Sequence, residues 1–325
     1  MEESNNPLVS VLIITYNSSK YVIDTLESVK NQTYSNLELV VSDDCSSDET
    51  VNICKHWINL NKARFKNVVV VEAPYNTGTA GNCNRALNVS TGVWLKFFGA
   101  DDILMPNAIQ QYVDFVEKDR KDIVIAEAIH FSGNIEEKKY TFERIALENT
   151  VFSKKITAKQ QYKILSKIFI GSGPTLFLSR ECVERVGGFD ERYPLQEDYP
   201  LFIQLTKAGY KMHLMPIDTV YKRVHNESVS HATESNAIYP SMIVRCVSVY
   251  KYAFKRSELN LFWSFLLSFS LWLYGNVIES GNDRTSLKCR IFYILQRALD
   301  PFEWYTRVLN LMDKFKNTPP QNKKL

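Results

Sequence analysis

Short apolar runs alternate with amphipathic segments through the first 128 residues, and this alternation restricts the possible folds more than any other feature of the chain. LVSVLIIT (8–15), NLELVVSDD (36–44), NVVVVEA (67–73), GVWLKFF (92–98) and DIVIAEA (122–128) read as strands. Continuous β-branched content marks strands covered on both faces. Between them, Val22, Leu26 and Val29 fall at helical spacing, and GNCNRALNV reads as a short helix. Ser46 and Glu49 form a capping-box pattern that predicts a helix running to about Asn61. MPNAIQQYVDFVEK is a further helix with Pro106 near its first turn. Strands separated by helices give an α/β class with a doubly wound sheet.

Ligands of such sheets bind beyond the carboxyl ends of the strands. Three runs end there in polar groups: Thr15, Tyr16 and Asn17; Asp43 and Asp44; Asp101 and Asp102. Two adjacent carboxylates closing a buried strand are costly unless a cation meets them. Residues 129–150 read as a hairpin or loop excursion. GSGPT (171–175) is a glycine-rich loop, Glu181 opens a helix, and Asp198 starts another that runs to Ala208.

Composition excludes several classes. With 39 basic and 36 acidic residues the net charge is +3, too weak an excess for a nucleic-acid binder. The six cysteines are scattered without a Cys-x-x-Cys pair, which points to reduced cytosolic thiols rather than a zinc site. Two acids precede the first apolar run, so that run is a strand rather than a signal peptide, and the expected location is cytoplasmic.

VSVLIITYNSSKYVIDTLESVKNQTYSNLELVVSDDCSSDET, NTGTAGNCNRALNVSTGVWLKFFGADD and GGFDERYPLQEDYPLFIQL follow one another at a spacing that resembles the family 2 glycosyltransferases of GT-A fold. The bacterial O-antigen and capsular polysaccharide enzymes look most similar. The resemblance spans roughly residues 9–230. It implies a GT-A mixed sheet in residues 1–235 and an inverting, metal-dependent transfer from a nucleotide-sugar, a UDP-sugar, with Mn²⁺ or Mg²⁺ as cofactor. The implied acceptor is a polyprenyl-diphosphate-linked oligosaccharide.

The resemblance also implies site roles. Asp102 and His225 would hold the metal, and Asp101 would accept ribose hydroxyls. Thr15, Tyr16, Asn17, Asp43 and Asp44 would surround the base, with Asn76, Gly78 and Asn84 over the nucleotide. Asp198 would be the general base and Glu197 an acceptor contact. Gly171, Ser172, Gly173 and Pro174 would lie beside the donor sugar and acceptor, and Arg223 would face the diphosphate. Many relatives carry an acid where this chain has Gly99. Two rival readings are a sugar-nucleotide nucleotidyltransferase and an inactive carbohydrate-binding relative. The first wants a basic, glycine-rich phosphate loop after the first strand, which TYNSSK does not supply.

Beyond residue 236 the character changes to a helical region, 236–316, closed by a disordered tail, 317–325. Residues 259–278 are a run of roughly 20 uncharged residues, near the length that spans a bilayer. Ser264, Ser268 and Gly275 suggest one close-packing face, and Phe262, Phe265, Phe269 and Trp272 an aromatic one. With Lys288, Arg290, Arg297 and Arg307 following, the expectation is peripheral attachment at the inner membrane face, with no nucleic acid partner.

Overall fold

The computed structural model describes residues 6–133, 139–143, 151–166, 170, 173–225, 236–239, 261–301, 304, 305, 307, 308 and 311. The chain divides into two compact units, residues 1–144 with 170–225, and residues 145–169 with 226–325.

The first unit is built on a mixed sheet. β1 (Val9–Thr15), β2 (Leu37–Asp43), β3 (Asn67–Glu72) and β4 (Trp94–Gly99) are parallel, in the order β3-β2-β1-β4. The sheet continues through β8 (Leu176–Ser179), β6 (Ile123–Ser132), β9 (Met212–Arg223) and β5 (Ile103–Leu104). β8 lies antiparallel between β4 and β6, so β6 and its parallel neighbour β9 run the same way as β4. The carboxyl end of β9 therefore arrives at the same edge as those of β1, β2 and β4. β7 (Lys139–Glu143) pairs back on β6 as a hairpin, the excursion expected after Ile129.

Helices α1 (Val22–Lys30), α2 (Thr50–Asn61), α3 (Gly78–Val89) and α4 (Ala108–Asp119) connect the strands. α1 buries Val22, Leu26 and Val29, the predicted stripe. Leu12 and Ile13 of β1 are fully buried, and truncating either to alanine would cost about 2–5 kcal/mol. The Ser46–Glu49 capping box does not form. α2 starts at Thr50, and the Ser46 hydroxyl is committed instead to Asp43, at 2.6 Å. Asp48 takes over at the helix start, accepting the Thr50 N–H at 3.0 Å.

The second unit contains α5 (Ala158–Leu165), opened by a capping box of Thr157 and Gln160, then α8 (Leu261–Glu279) and α9 (Leu287–Leu299). The first unit adds α6 (Arg180–Arg185) and α7 (Asp198–Lys207). α8 turns through Gly281 and Asn282, both at positive φ, and α9 packs back on it. Cys289 donates to the Ser280 carbonyl, and Trp272 meets Phe292 edge-on at 6.0 Å. The buried face of α8 is Leu267, Ser270, Leu273 and Val277, not the expected Ser264, Ser268 and Gly275. Ser268 donates to the carbonyl of Ser264 within the helix.

Candidate active site

Register explains why polar groups converge. Thr15 stands opposite Asp43, and Ile14 opposite Gly99, so three strand ends share one level. Asp43 ties the β1 end to the loop after β2: its carboxylate accepts from Thr15 Oγ1 at 2.7 Å and from Ser46 N at 2.8 Å. Asn17, at φ 47°, bridges to the same loop by accepting the Ser47 N–H at 2.8 Å. Tyr16 is left exposed at the mouth, 52% accessible.

Asp44 is buried and fully engaged. It accepts from Thr77 N at 2.9 Å, Thr77 Oγ1 at 2.7 Å, Gly78 N at 2.7 Å and Arg85 Nη2 at 3.3 Å. The carboxylate expected to meet a base thus organises the 76–78 turn. Asn76 closes that turn by accepting the Gly78 N–H. Gly78 is required: at φ 78°, a Cβ there would stand 2.5 Å from the Pro194 carbonyl oxygen. Asn84 is a clamp, exchanging two hydrogen bonds with the backbone of Phe189, at 2.8 and 2.9 Å.

The Asp101–Asp102 corner differs from the expectation in its division of labour. His225 Nε2 lies 3.0 Å from Asp101 Oδ2, so the imidazole joins Asp101 rather than Asp102. Asp101 folds back over Gly99, where an added Cβ would lie 2.8 Å from Oδ1. Asp102 is turned inward and accepts the Arg223 N–H at 2.9 Å. Burial, with Asp101 beside it, pushes the Asp102 carboxyl well above the usual carboxylate range. The Arg223 guanidinium, expected toward a diphosphate, is a strut. It bonds Asp24, the Asp101 carbonyl and the Gly133 carbonyl, sandwiched between the Tyr21 and Phe131 rings at 4.7 Å from each. A cleft lined by Lys20, Tyr21, Asp24, Arg223 and His225 opens beside the pair.

Among the described residues no three His, Cys, Asp or Glu side chains converge as a metal cage. Asp101 and His225 nonetheless bring a carboxylate and an imidazole within 3.0 Å of each other, two donors that would suit a divalent cation. His225 Nδ1 is buried without a hydrogen-bond partner among the described residues.

Glu197 and Asp198 open α7 as predicted. Asp198 accepts the Tyr199 N–H at 2.7 Å and the Gly173 N–H at 3.4 Å. Burial and the Asp198 charge push Glu197 up to about 7, with Lys222 pulling the other way. Gly173 and Pro174 form a tight turn, Gly173–Thr175, and Gly171 and Ser172 lie outside the described residues. The sequence reading missed two cations here. Arg85 braces Asp44, and Lys222 carries its ammonium into the field of both Asp102 and Glu197. The β9 end was their only available signal for Lys222, because a lysine beside Arg223 reads as an ordinary solvated pair.

The description "Glycosyl transferase family 2" matches residues 10–187. The Escherichia coli UDP-Glc:alpha-D-GlcNAc-diphosphoundecaprenol beta-1,3-glucosyltransferase WfaP is 27% identical over 242 residues, 74% of this chain and 87% of that one. The Escherichia coli chondroitin synthase is 29% identical over 226 residues, 69% of this chain but 30% of that longer enzyme. Among solved structures, Staphylococcus aureus TarS 1–349 with UDP-GlcNAc aligns at TM-score 0.57 and 17% identity, covering 94% of this chain and 89% of that one. The mannosyltransferase PcManGT of Pyrobaculum calidifontis, with GDP-Man and Mn²⁺, aligns at 0.57 and 18%, covering 99% and 89%.

Proposed function

The chain belongs to glycosyl transferase family 2, and on that premise we propose that it moves a sugar from a UDP-sugar to a lipid-linked oligosaccharide, with inversion at the anomeric carbon and a bound divalent cation. The fold is GT-A and the protein is a glycosyltransferase. The observation that carries the proposal is one sheet edge bearing an Asp101–His225 pair and a Glu197–Asp198 pair, with the Lys222 ammonium in the field of Asp102 and Glu197. Transfer between a diphosphate donor and a hydroxyl acceptor needs these two functions, charge neutralisation and proton removal.

On this reading Asp101 and His225 hold the cation, and a donor set that includes imidazole favours Mn²⁺ over Mg²⁺. Held there, the ion would supply Lewis-acid neutralisation of the leaving diphosphate. Asp102, with its bond from the Arg223 backbone, fixes the turn that presents Asp101. Tyr16 walls the base, while Asp43, Asp44, Asn76, Gly78 and Asn84 hold the shape of its corner. Asp198 takes the acceptor hydroxyl's proton as that oxygen attacks opposite the diphosphate. Glu197, pushed above the usual carboxylate range by burial and the Asp198 charge, is a contact for the acceptor beside it. WfaP acts by its name on a diphosphoundecaprenol-linked sugar, and TarS is solved with UDP-GlcNAc, which together support this donor and acceptor class.

The second unit supports a peripheral place at the inner membrane face, in surface polysaccharide assembly such as O-antigen or capsule. Phe262, Phe265 and Trp272 of α8 are exposed, as are Leu287, Ile291, Ile294 and Leu299 of α9. Among the described residues α8 is the one helix long and apolar enough to cross a bilayer, with mean hydropathy 1.5 over an 18-residue window. α9, 13 residues or about 20 Å long, is too short to cross and packs against it. A spanning hairpin would carry Arg290 and Arg297 into hydrocarbon, at about 2.5–3.5 kcal/mol each. An in-plane hairpin keeps those charges at the headgroups.

The test is the full chain with Mn²⁺, UDP-glucose and a GlcNAc-diphospholipid acceptor. A β-linked product is expected, and Asp101→Ala is expected to abolish both Mn²⁺-dependent UDP binding and turnover. Full activity in excess EDTA, or an α-linked product, overturns the mechanism.

A further inference from the structure

Lys96 and Tyr112 are buried beneath the sheet edge, and neither has a place in the chemistry above. Lys96, in β4, is fully buried, and burial pulls its pKa down to about 7. It donates to the carbonyl of Pro174, to that of Leu176 at 3.2 Å and to the Tyr112 hydroxyl at 3.5 Å. Tyr112, in α4, donates its proton to the Thr175 carbonyl at 2.6 Å, leaving Thr219 Oγ1 as its donor at 2.8 Å. Two side chains from separate elements thus hold three consecutive carbonyls, those of Pro174, Thr175 and Leu176. A buried lysine without a carboxylate in hydrogen-bonding contact is expensive to keep, and a leucine or methionine would fill the same volume without that penalty.

The held segment is the turn whose first residue, Gly173, points its N–H at Asp198. Gly173 adopts φ 48°, and a side chain there would meet the Lys222 ammonium at 3.5 Å. We propose that Lys96 and Tyr112 are positioning residues for sugar transfer: through the carbonyls of residues 174–176 they fix the Gly173 turn, and with it the setting of Asp198. The inference rests on Asp198 being the base. Neither residue touches substrate, so their loss acts through geometry, and displacing a catalytic contact by about 1 Å is enough for a hundredfold loss of rate.

The test uses the full chain. Tyr112→Phe keeps the ring stacked on Phe177, 4.8 Å away, and removes only the hydroxyl. Lys96→Met keeps the stem and removes the ammonium. Hydrogen exchange of the 173–179 segment should quicken at least tenfold in either variant, with β1 and β2 unchanged. With Mn²⁺, UDP-glucose and the GlcNAc-diphospholipid, kcat per donor-binding site should fall at least tenfold, while UDP affinity stays within about twofold. Tyr112→Phe decides the matter if Lys96→Met fails to fold. Unchanged exchange in the 173–179 segment overturns the strut. Faster exchange with unchanged kcat, or UDP affinity falling in parallel with kcat, overturns the positioning role. A wild-type chain that gives no product with this pair breaks the functional reading instead, and the exchange result still decides whether the strut exists.

Discussion

The strand-end edge of the first unit and the α8–α9 hairpin of the second solve opposite problems. At the edge, carboxylates are almost inaccessible: Asp43, Asp44 and Asp102 are 1%, 2% and 5% exposed, and each accepts bonds from fixed donors. Along the hairpin, large apolar side chains stand in solvent, with Phe265 at 68% and Ile294 at 63%. Buried polar groups are tolerated only when paired, so these three carboxylates are held in place before a ligand arrives. Exposed apolar stripes gain by being covered. The first region is organised to hold geometry, and the second to acquire a neighbour.

The sharpest way to break that contrast is at Asp198. If the edge is preorganised for chemistry, Asp198→Asn should leave UDP binding by calorimetry intact while transfer falls at least about a hundredfold, within the usual range for a general base. That is about 3 kcal/mol or more of barrier. Equal transfer in the variant would reduce the α7 start to a helix cap and remove the functional half of the comparison.

Next in size is a test of rigidity away from the chemistry. Glu38 is fully buried in β2 and accepts from Ser10, Asn67 and Thr91, tying β1, β3 and the turn before β4 to its own strand. Burial raises its pKa, but the bonds from Ser10, Thr91 and Asn67 outweigh that and hold it below the usual value. A depressed carboxylate contributes stability above its unfolded value, and that contribution fades as pH falls through the folded one. Glu38→Gln should therefore cost about 2–3 kcal/mol at pH 7, the scale of hydrogen bonds to a charged group. The gap to wild type should narrow in urea melts at pH 3. A gap that is constant with pH would mean that shape, not charge, is what β2 requires at this position.

Much of the edge was legible because it is encoded locally. The β-branched runs at 8–15 and 36–44 become β1 and β2, and the polar residues after them are where the doubly wound pattern puts them. What escaped was pairing between distant segments. Nothing in LFLS announces that β8 will insert antiparallel between β4 and β6, since strand order is decided by long-range packing. Ser46 followed by Glu49 is a sound local signal for a cap, yet Asp43 on the neighbouring strand takes the hydroxyl. His225 meets Asp101 rather than Asp102, because adjacent side chains on a turn point in different directions and spacing cannot say which. Lys96 and Tyr112 left no trace, as a lysine within an apolar strand has no periodicity to betray its partners.

The hairpin carries the third prediction. Ile291→Glu with Ile294→Glu should weaken binding of the full chain to vesicles of mixed phosphatidylglycerol and phosphatidylcholine by at least tenfold, about 1.4 kcal/mol. UDP affinity should hold within twofold, since the change lies outside the sheet unit. Arg290→Gln and Arg297→Gln should weaken binding to the anionic vesicles only, by about 1 kcal/mol per charge. Retention of the wild type in membranes after carbonate extraction would turn the in-plane hairpin into a span.

The last effect expected is a pH dependence at the edge itself. Glu197 sits above its unfolded value because of burial and the Asp198 charge, at about 7 against 4.5. Between those two values the folded chain binds a proton that the unfolded chain has released, so stability falls as pH rises through this window. Below pH 4.5 the carboxyl is protonated in both states and contributes no difference. Glu197→Gln, a permanently neutral isostere, should accordingly match wild type near pH 4 and exceed it near pH 8. Because two carboxylates share the titration, the gain should be roughly 1–2 kcal/mol rather than the full shift. A gain of the same size at both pH values would trace to packing and not to charge. No gain at pH 8 would mean that Glu197 is ionised at no cost, and the edge would then hold two full charges side by side, with Lys222 and the helix start as their compensation.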